Sequence, residues 1–216
     1  MFNELLNFAN VNWSVITKGL FLTSKLVVLA FVVGIVFGSI LASMKVSKSK
    51  LLNTVSGWYI GFFRQLPLLF VLLAFYLILP NFLRQFGIYG DVTFIIAVVG
   101  FSLFESAYFA EIIRTGINAV PSNQVEAATT LGMSKTQSFL LVVLPQAIRN
   151  SKKSIITQLT TLIQDTSLVY VLNMNDFFNA TYHSGEASGY TVHAMVVTAI
   201  VYVAITFVLN KLTGEK

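Results

Sequence analysis

An all-α integral membrane protein with about five spanning helices is the fold class this sequence predicts, on three observations. Of its 216 residues, 56% are hydrophobic and only 11% are charged, at a mean hydropathy of +0.76. Soluble domains carry about a quarter charged residues. Five apolar stretches approach the roughly 20 residues that a helix needs to cross a bilayer. The 14 Lys and Arg residues are distributed unevenly between the two sides those stretches define.

The predicted spans are Leu20–Met44, Trp58–Leu79, Val92–Ala110, Ser154–Asn173 and Thr191–Asn210. The residues before the first, Met1 to Asn12, carry no Lys or Arg and no long apolar run. They are read as no signal peptide, so the first span directs its own insertion. Gly34 and Gly38 in that span make a small-xxx-small pattern, and Gly19 also permits close helix approach. The fourth span is polar at Thr157, Gln158, Thr160, Thr161, Gln164 and Asp165. A helix of that kind survives in lipid only with its polar face against other helices or a wet cavity. Trp13, Trp58, Tyr59 and Tyr190 fall near span ends and read as interfacial anchors.

Orientation follows from the basic residues. Lys45, Lys48 and Lys50 lie in the first loop, and Arg114, Lys135, Arg149, Lys152 and Lys153 in the long third loop. Lys211 and Lys216 lie in the tail, while Lys18 and Arg84 are alone on the opposite side. The positive-inside rule places the loops and C-terminus in the cytoplasm and the N-terminus outside. The net charge of +5 is thereby a matter of topology, and no nucleic-acid partner is expected. Cysteine is absent, which excludes disulfides and thiol chemistry. His183 and His193 lack metal-ligand spacing and read as surface residues.

About forty residues separate spans three and four, too many for a structureless connection. Pro121 closes the preceding segment. Asn123 with Glu126 offers a capping arrangement, Ala127 and Ala128 favour helix, and Gly132 ends it. Ser134 with Gln137 is a second capping box, opening a helix toward Pro145. The expectation is a rigid finger of helix, glycine turn and helix, presenting small side chains.

Glu126-Ala127-Ala128, the glycine six residues after the Glu and Leu144-Pro145 twelve further on resemble the "EAA" loop of ABC-importer permeases. Other stretches resemble the polar-amino-acid branch of that family. They are Arg64-Gln-Leu-Pro67, Glu105-Ser-Ala-Tyr-Phe-Ala-Glu111-Ile-Ile-Arg114, and Gln164-Asp-Thr-Ser-Leu168 followed by Asp176-Phe-Phe. The second and third of these look most like the glutamate/aspartate permease subunits. The resemblance implies the type I importer fold, with 1–216 as a single permease domain and a cytoplasmic coupling loop at about 111–153. It further implies two cytoplasmic ATPase subunits, a second homologous permease or a copy of this chain, and an extracytoplasmic amino-acid-binding protein. Bacterial inner-membrane location and contact with lipid come with it. Glu126, Ala127, Ala128 and Gly132 would then meet the ATPase. The chain departs from the family at Asn123-Gln124, where Gly-Gln is common, and at Gln164, where most relatives have Lys.

No Walker A sequence occurs, so no cofactor is expected in this chain, and ATP and Mg would be bound by the partner ATPase. It is therefore read as no enzyme. Arg64, Glu105, Gln164, Asp165, Thr166 and Ser167 are the candidates for the substrate path. Each intramembrane charge costs about 2.5–3.5 kcal/mol at a span centre. One reading has Arg64 holding a substrate carboxylate and Glu105 or Asp165 its ammonium. The other pairs Arg64 with Asp165 or backbone carbonyls to fix helix positions. The function expected is import of a polar amino acid, glutamate or aspartate first and glutamine as the alternative. A membrane scaffold or signalling subunit is the rival from a different class.

Overall fold

The structure, a computed structural model, describes residues 2–211. The described residues contain helices and no strands. In chain order they are α1 (Phe2–Val11), α2 (Trp13–Lys45), α3 (Lys50–Gln65), α4 (Leu68–Gln85), α5 (Thr93–Asn118) and α6 (Ser122–Thr130). A short α7 (Lys135–Ser138) leads through a π-helical turn, Phe139–Val143, into α8 (Leu144–Asp165). A 3₁₀ segment, Thr166–Leu172, precedes α9 (Phe177–Ser188) and α10 (Thr191–Lys211). Five helical runs are long and apolar enough to cross a membrane: Trp13–Lys45, Leu68–Gln85, Thr93–Asn118, Lys135–Leu172 and Thr191–Lys211. The expected number of spans therefore stands. Lys216 and the end of the tail lie outside the described residues.

The bounds differ from expectation where proline acts. The predicted second span, Trp58–Leu79, is cut at Leu66 and Pro67, and the spanning helix is α4. Pro67 has no N–H and pushes the residue before it out of the helical region. Span three runs on to Asn118 and span four begins upstream of Ser154, so the connection between them is shorter than its polarity suggested.

The residues sort into two compact units. One comprises the described residues of 1–32, 66–102 and 159–216. Its core joins Phe8 of α1, Ile16 of α2, Phe177 of α9 and Ala194 of α10. Gly19 is required there, because a Cβ would stand 2.8 Å from the Asp176 carbonyl oxygen. The Phe177 N–H donates to Thr23 Oγ1 at 2.9 Å, holding the start of α9 on α2. The sequence pattern missed α1 and α9, both too short to span. His193 of α10 lies 3.5 Å from Glu4 of α1.

The other unit comprises 33–65 and 103–158. Leu41, Ala42, Ile60 and Ala110 form its core, where the C-terminal half of α2 packs on α3 and α5. The small-xxx-small pattern lies in this contact. A Cβ on Gly34 would approach Glu105 Cβ to 3.2 Å, and one on Gly38 would meet Phe109 Cβ and the Ser106 carbonyl at 2.8 Å. Tyr59 is an inward strut rather than an interfacial anchor. Its hydroxyl donates to the Leu103 carbonyl at 2.9 Å and lies 2.9 Å from Ser106 Oγ. Trp13 and Trp58 do stand at the surface, at 65% and 71% exposure.

Asp176 caps α9, accepting the Phe178 and Asn179 N–H groups at 3.1 and 3.0 Å. Burial pushes its carboxyl up to about 6, against those two bonds, which pull it down. The folded value lies above the unfolded one, so the folded chain binds the proton more tightly. The stability it contributes is present at low pH and is lost as pH rises through about 6. Asp176→Asn keeps a cap-forming residue and removes the titration. Melting of the purified protein should show the variant gaining on wild type between about pH 4 and about pH 6.5, and a steady difference above that. A difference already constant between those two values would contradict this role of Asp176.

Candidate functional site

Proline and glycine geometry shape the segment after α5. Pro121 stands before α6 with φ −61° and ψ 140°, and no side chain caps the helix. Asn123 lies inside the first turn, so the expected Asn123–Glu126 cap does not form. The ring of Pro121 already fixes an entry conformation, and the helix starts directly behind it. Glu126 and Ala127 point to the surface, whereas Ala128 is buried at 3% exposure. Only one of the two alanines is therefore open to another molecule. Val125 and Leu131 are exposed apolar residues beside it, Leu131 at 79%.

Gly132 ends α6 with φ +83°. Its N–H donates to the Thr129 carbonyl at 3.0 Å and the Met133 N–H to Ala128 at 3.1 Å, the paired bonds of a Schellman turn. The expected capping box of Ser134 is present. Ser134 Oγ accepts from the Gln137 N–H at 3.3 Å, and Gln137 Oε1 accepts from the Ser134 N–H at 2.9 Å. α6 packs back on the π-helical turn at Phe139–Val143, so the finger is one folded piece.

Pro145 does not stop the chain from spiralling. It cannot donate to the carbonyl four residues back, and an α-helix there would also clash with its ring. The π-turn widens the spiral ahead of it, with the Leu144 N–H reaching the Phe139 carbonyl. Gln146 Nε2 donates to the Val142 carbonyl at 2.9 Å, within the same turn.

The same unit holds two of the sequence-predicted polar residues. Glu105 has no exposed surface and accepts from Gln158 Nε2 at 2.9 Å. It sits between Gly34 of α2 and Gln158 of α8. Within its unit Arg64 bonds no backbone carbonyl. Its guanidinium lies over the Tyr108 ring, 5.6 Å from the centroid, and Nη1 is 4.0 Å from Glu111 Oε1. Glu111 is held by Arg114, Nη2 to Oε1 at 2.6 Å and Nε to Oε2 at 2.9 Å. Tyr108, Glu111 and Arg114 were missing from the sequence-derived site. The signal was available as an i, i+3 acid–base pair on an otherwise apolar helix.

The remaining candidates lie in the other unit, at the end of α8. Gln164 Nε2 approaches Thr206 Oγ1 at 3.5 Å, and Asp165 is half-buried at the helix end. Thr166 Oγ1 donates to the Ile163 carbonyl at 2.6 Å and Ser167 Oγ to Gln164 at 2.8 Å. These hydroxyls turn back on the carbonyls freed where α8 tightens into the 3₁₀ segment. His183 pairs with Glu186 at 3.0 Å on the surface of α9.

Comparison with known proteins identifies the class. Residues 34–214 match the family model described as "Binding-protein-dependent transport system inner membrane component". The chain belongs to that family, the membrane subunits of ABC importers. Across 191 residues it is 43% identical to the glutamate/aspartate import permease protein GltK of Escherichia coli O6:H1 (strain CFT073), covering 87% of this chain and 85% of GltK. It is 32% identical over 195 residues to the arginine transport system permease protein ArtQ of Bacillus subtilis (strain 168), covering 90% and 87%. A chain in the crystal structure of an amino acid ABC transporter with histidines superposes at TM-score 0.82 with 31% identity, over 94% of both. The MetNI methionine ABC transporter in inward-facing form shares the fold at TM-score 0.71 and 18% identity, over 92% of this chain and 94% of that one. The protein is accordingly a multi-pass transporter component with the type I importer permease fold.

The burial of Glu105 generates a prediction. Glu105→Gln keeps the shape and replaces the buried carboxyl that accepts from Gln158 with an amide, whose extra N–H groups need partners in the same closed space. The variant should melt earlier and insert in lower yield, with uptake per inserted molecule unchanged. Normal melting with a raised KM would instead make Glu105 a substrate contact.

Proposed function

We propose that this chain is the permease subunit of an importer for acidic amino acids, glutamate or aspartate. The observation that carries the reading is the 43% identity to GltK across 87% of the chain. One family model runs through both compact units, which supports treating 1–216 as a single permease domain. The working assembly would hold two such permeases, identical or homologous, two cytoplasmic ATPases that bind ATP and Mg, and a binding protein outside. The N-terminus faces outside and the C-terminus the cytoplasm, because ten of the 14 basic residues then lie on the cytoplasmic side.

In this reading the finger at 122–138, within the coupling loop of about 111–153, presses on the ATPase. Glu126, Ala127, Val125 and Leu131 are exposed on it, and an exposed apolar patch next to a charge suits a partner groove. Ala128 acts from beneath, seating α6 on the π-turn. Gly132 sets the direction of the finger tip. Movement of the finger would tilt α5 and α8, which are continuous with it in the chain, and so alternate access to the path. Gln164, Asp165, Thr166 and Ser167 supply polar groups along that path.

Gly132→Asp tests the coupling. Asp enters the left-handed region more readily than most residues, and a Cβ at Gly132 would meet nothing within 4 Å. The finger should therefore fold, while the new carboxylate would be desolvated at the ATPase surface. In vesicles containing the assembled transporter, glutamate uptake should fall to near background with normal insertion. Uptake and stimulated ATP hydrolysis at wild-type levels would refute the coupling role.

A further inference from the structure

We infer that Arg64, with Tyr108, Glu111 and Arg114, forms a binding station for the carboxylate of the amino acid in transit. The inference rests on the acidic amino acid reading and gives that substrate a place in the chain. Its starting point is an imbalance of charge. Three cations, Arg114, Arg64 and Lys45, act on the single Glu111 carboxylate. That carboxylate is already satisfied. Arg114 holds both of its oxygens, at 2.6 and 2.9 Å.

The other two cations differ in what they do. Lys45 is engaged with Asn53, its Nζ donating to Oδ1 at 3.1 Å and to the carbonyl at 3.3 Å. It ties α2 to α3. Arg64 approaches Glu111 only to 4.0 Å, beyond hydrogen-bond reach, and its side chain is 42% exposed. The Tyr108 face holds its flat guanidinium in place. A residue needed merely as a counter-charge to Glu111 would be redundant here. A planar fork, shelved on an aromatic ring with donors unspent, is the arrangement that receives a carboxylate through two parallel bonds. Glu111, in turn, keeps the second cation from repelling Arg64 and steadies the cluster.

The surroundings suit an amino acid. Glu111 also lines a crevice of about 190 Å³ with Thr115, Asn150 and Ser154, polar residues of the kind an ammonium or second carboxylate would meet on leaving Arg64. Exposed cationic groups on α3 and α5 also suit one other anion, the phosphate of a lipid headgroup. The two sources are separable.

The test is equilibrium binding of labelled L-glutamate and L-aspartate to the assembled, nucleotide-free transporter in vesicles, without the binding protein. Arg64→Gln should weaken binding about tenfold or more, while Arg64→Lys, keeping the charge without the fork, should fall between. Arg64→Lys also preserves the inference from a folding failure of the Gln variant, and equal melting temperatures establish that both are folded. Wild-type binding in a folded Arg64→Gln variant would overturn the station alone. Absence of glutamate and aspartate binding by the wild-type transporter would overturn the acidic amino acid reading and the station together. The lipid arm repeats the measurement in phosphatidylcholine vesicles with and without phosphatidylglycerol. A dependence of uptake on phosphatidylglycerol that disappears in Arg64→Gln, with glutamate binding intact, assigns the cluster to a lipid phosphate and overturns the proposal.

Discussion

A backbone amide inside a bilayer has no water to bond, so each polar group of a spanning segment must be satisfied by the protein itself. This constraint explains the helical architecture and, more sharply, its exceptions. Pro67 ends α3, and the spanning helix is started afresh at Leu68. Pro145 cannot donate to the turn before it, and the chain enters it through a π-helical turn at Phe139–Val143. At the end of α8 the spiral tightens instead, and Thr166 and Ser167 return their hydroxyls to the carbonyls of Ile163 and Gln164. Where the spiral tightens, side-chain hydroxyls repair the backbone bonding.

A second constraint follows, since lipid gives apolar helices no hydrophobic reason to associate with one another. Close packing takes over, and glycine supplies it. Gly34 and Gly38 bring α2 against α5 in one unit, and Gly19 brings it against the start of α9 in the other. The contact at Gly34 seals Glu105, which is why a buried acid there reads as part of the packing. Gly132 serves a different purpose. Nothing crowds it, and only its positive φ demands glycine. Its place is on an exposed turn, where the proposed contact with an ATPase would fall.

The number of spans and the finger were legible because composition, spacing and caps report local physics. Ser134 and Gln137 are a capping box in sequence and in structure. Asn123 misled because Pro121 two residues earlier already determined where the helix starts. The second span misled because apolarity runs unbroken across Leu66 and Pro67, while helix geometry does not. α1 and α9 were missed because short amphipathic helices gain their stability from tertiary contacts, here at Phe8 and Phe177, rather than from length. The polar residues were found individually, but their partners were not. Nothing in the spacing of Arg64 and Glu111, on different helices, announces that they meet. Tyr59 looks like an interfacial anchor until the carbonyl of Leu103, on a distant helix, is placed beside its hydroxyl.

The proposed coupling requires the finger to face an ATPase, and therefore to lie on the cytoplasmic side of the membrane. The absence of native cysteine makes this directly measurable. A single cysteine at Lys135, treated in intact cells with a membrane-impermeant thiol reagent, should remain unlabelled until the membrane is permeabilised. Lys18→Cys, at the opposite end of α2 from Lys45, should label without permeabilisation. Labelling of the Lys135 position from outside in intact cells would reverse the orientation and contradict the coupling role.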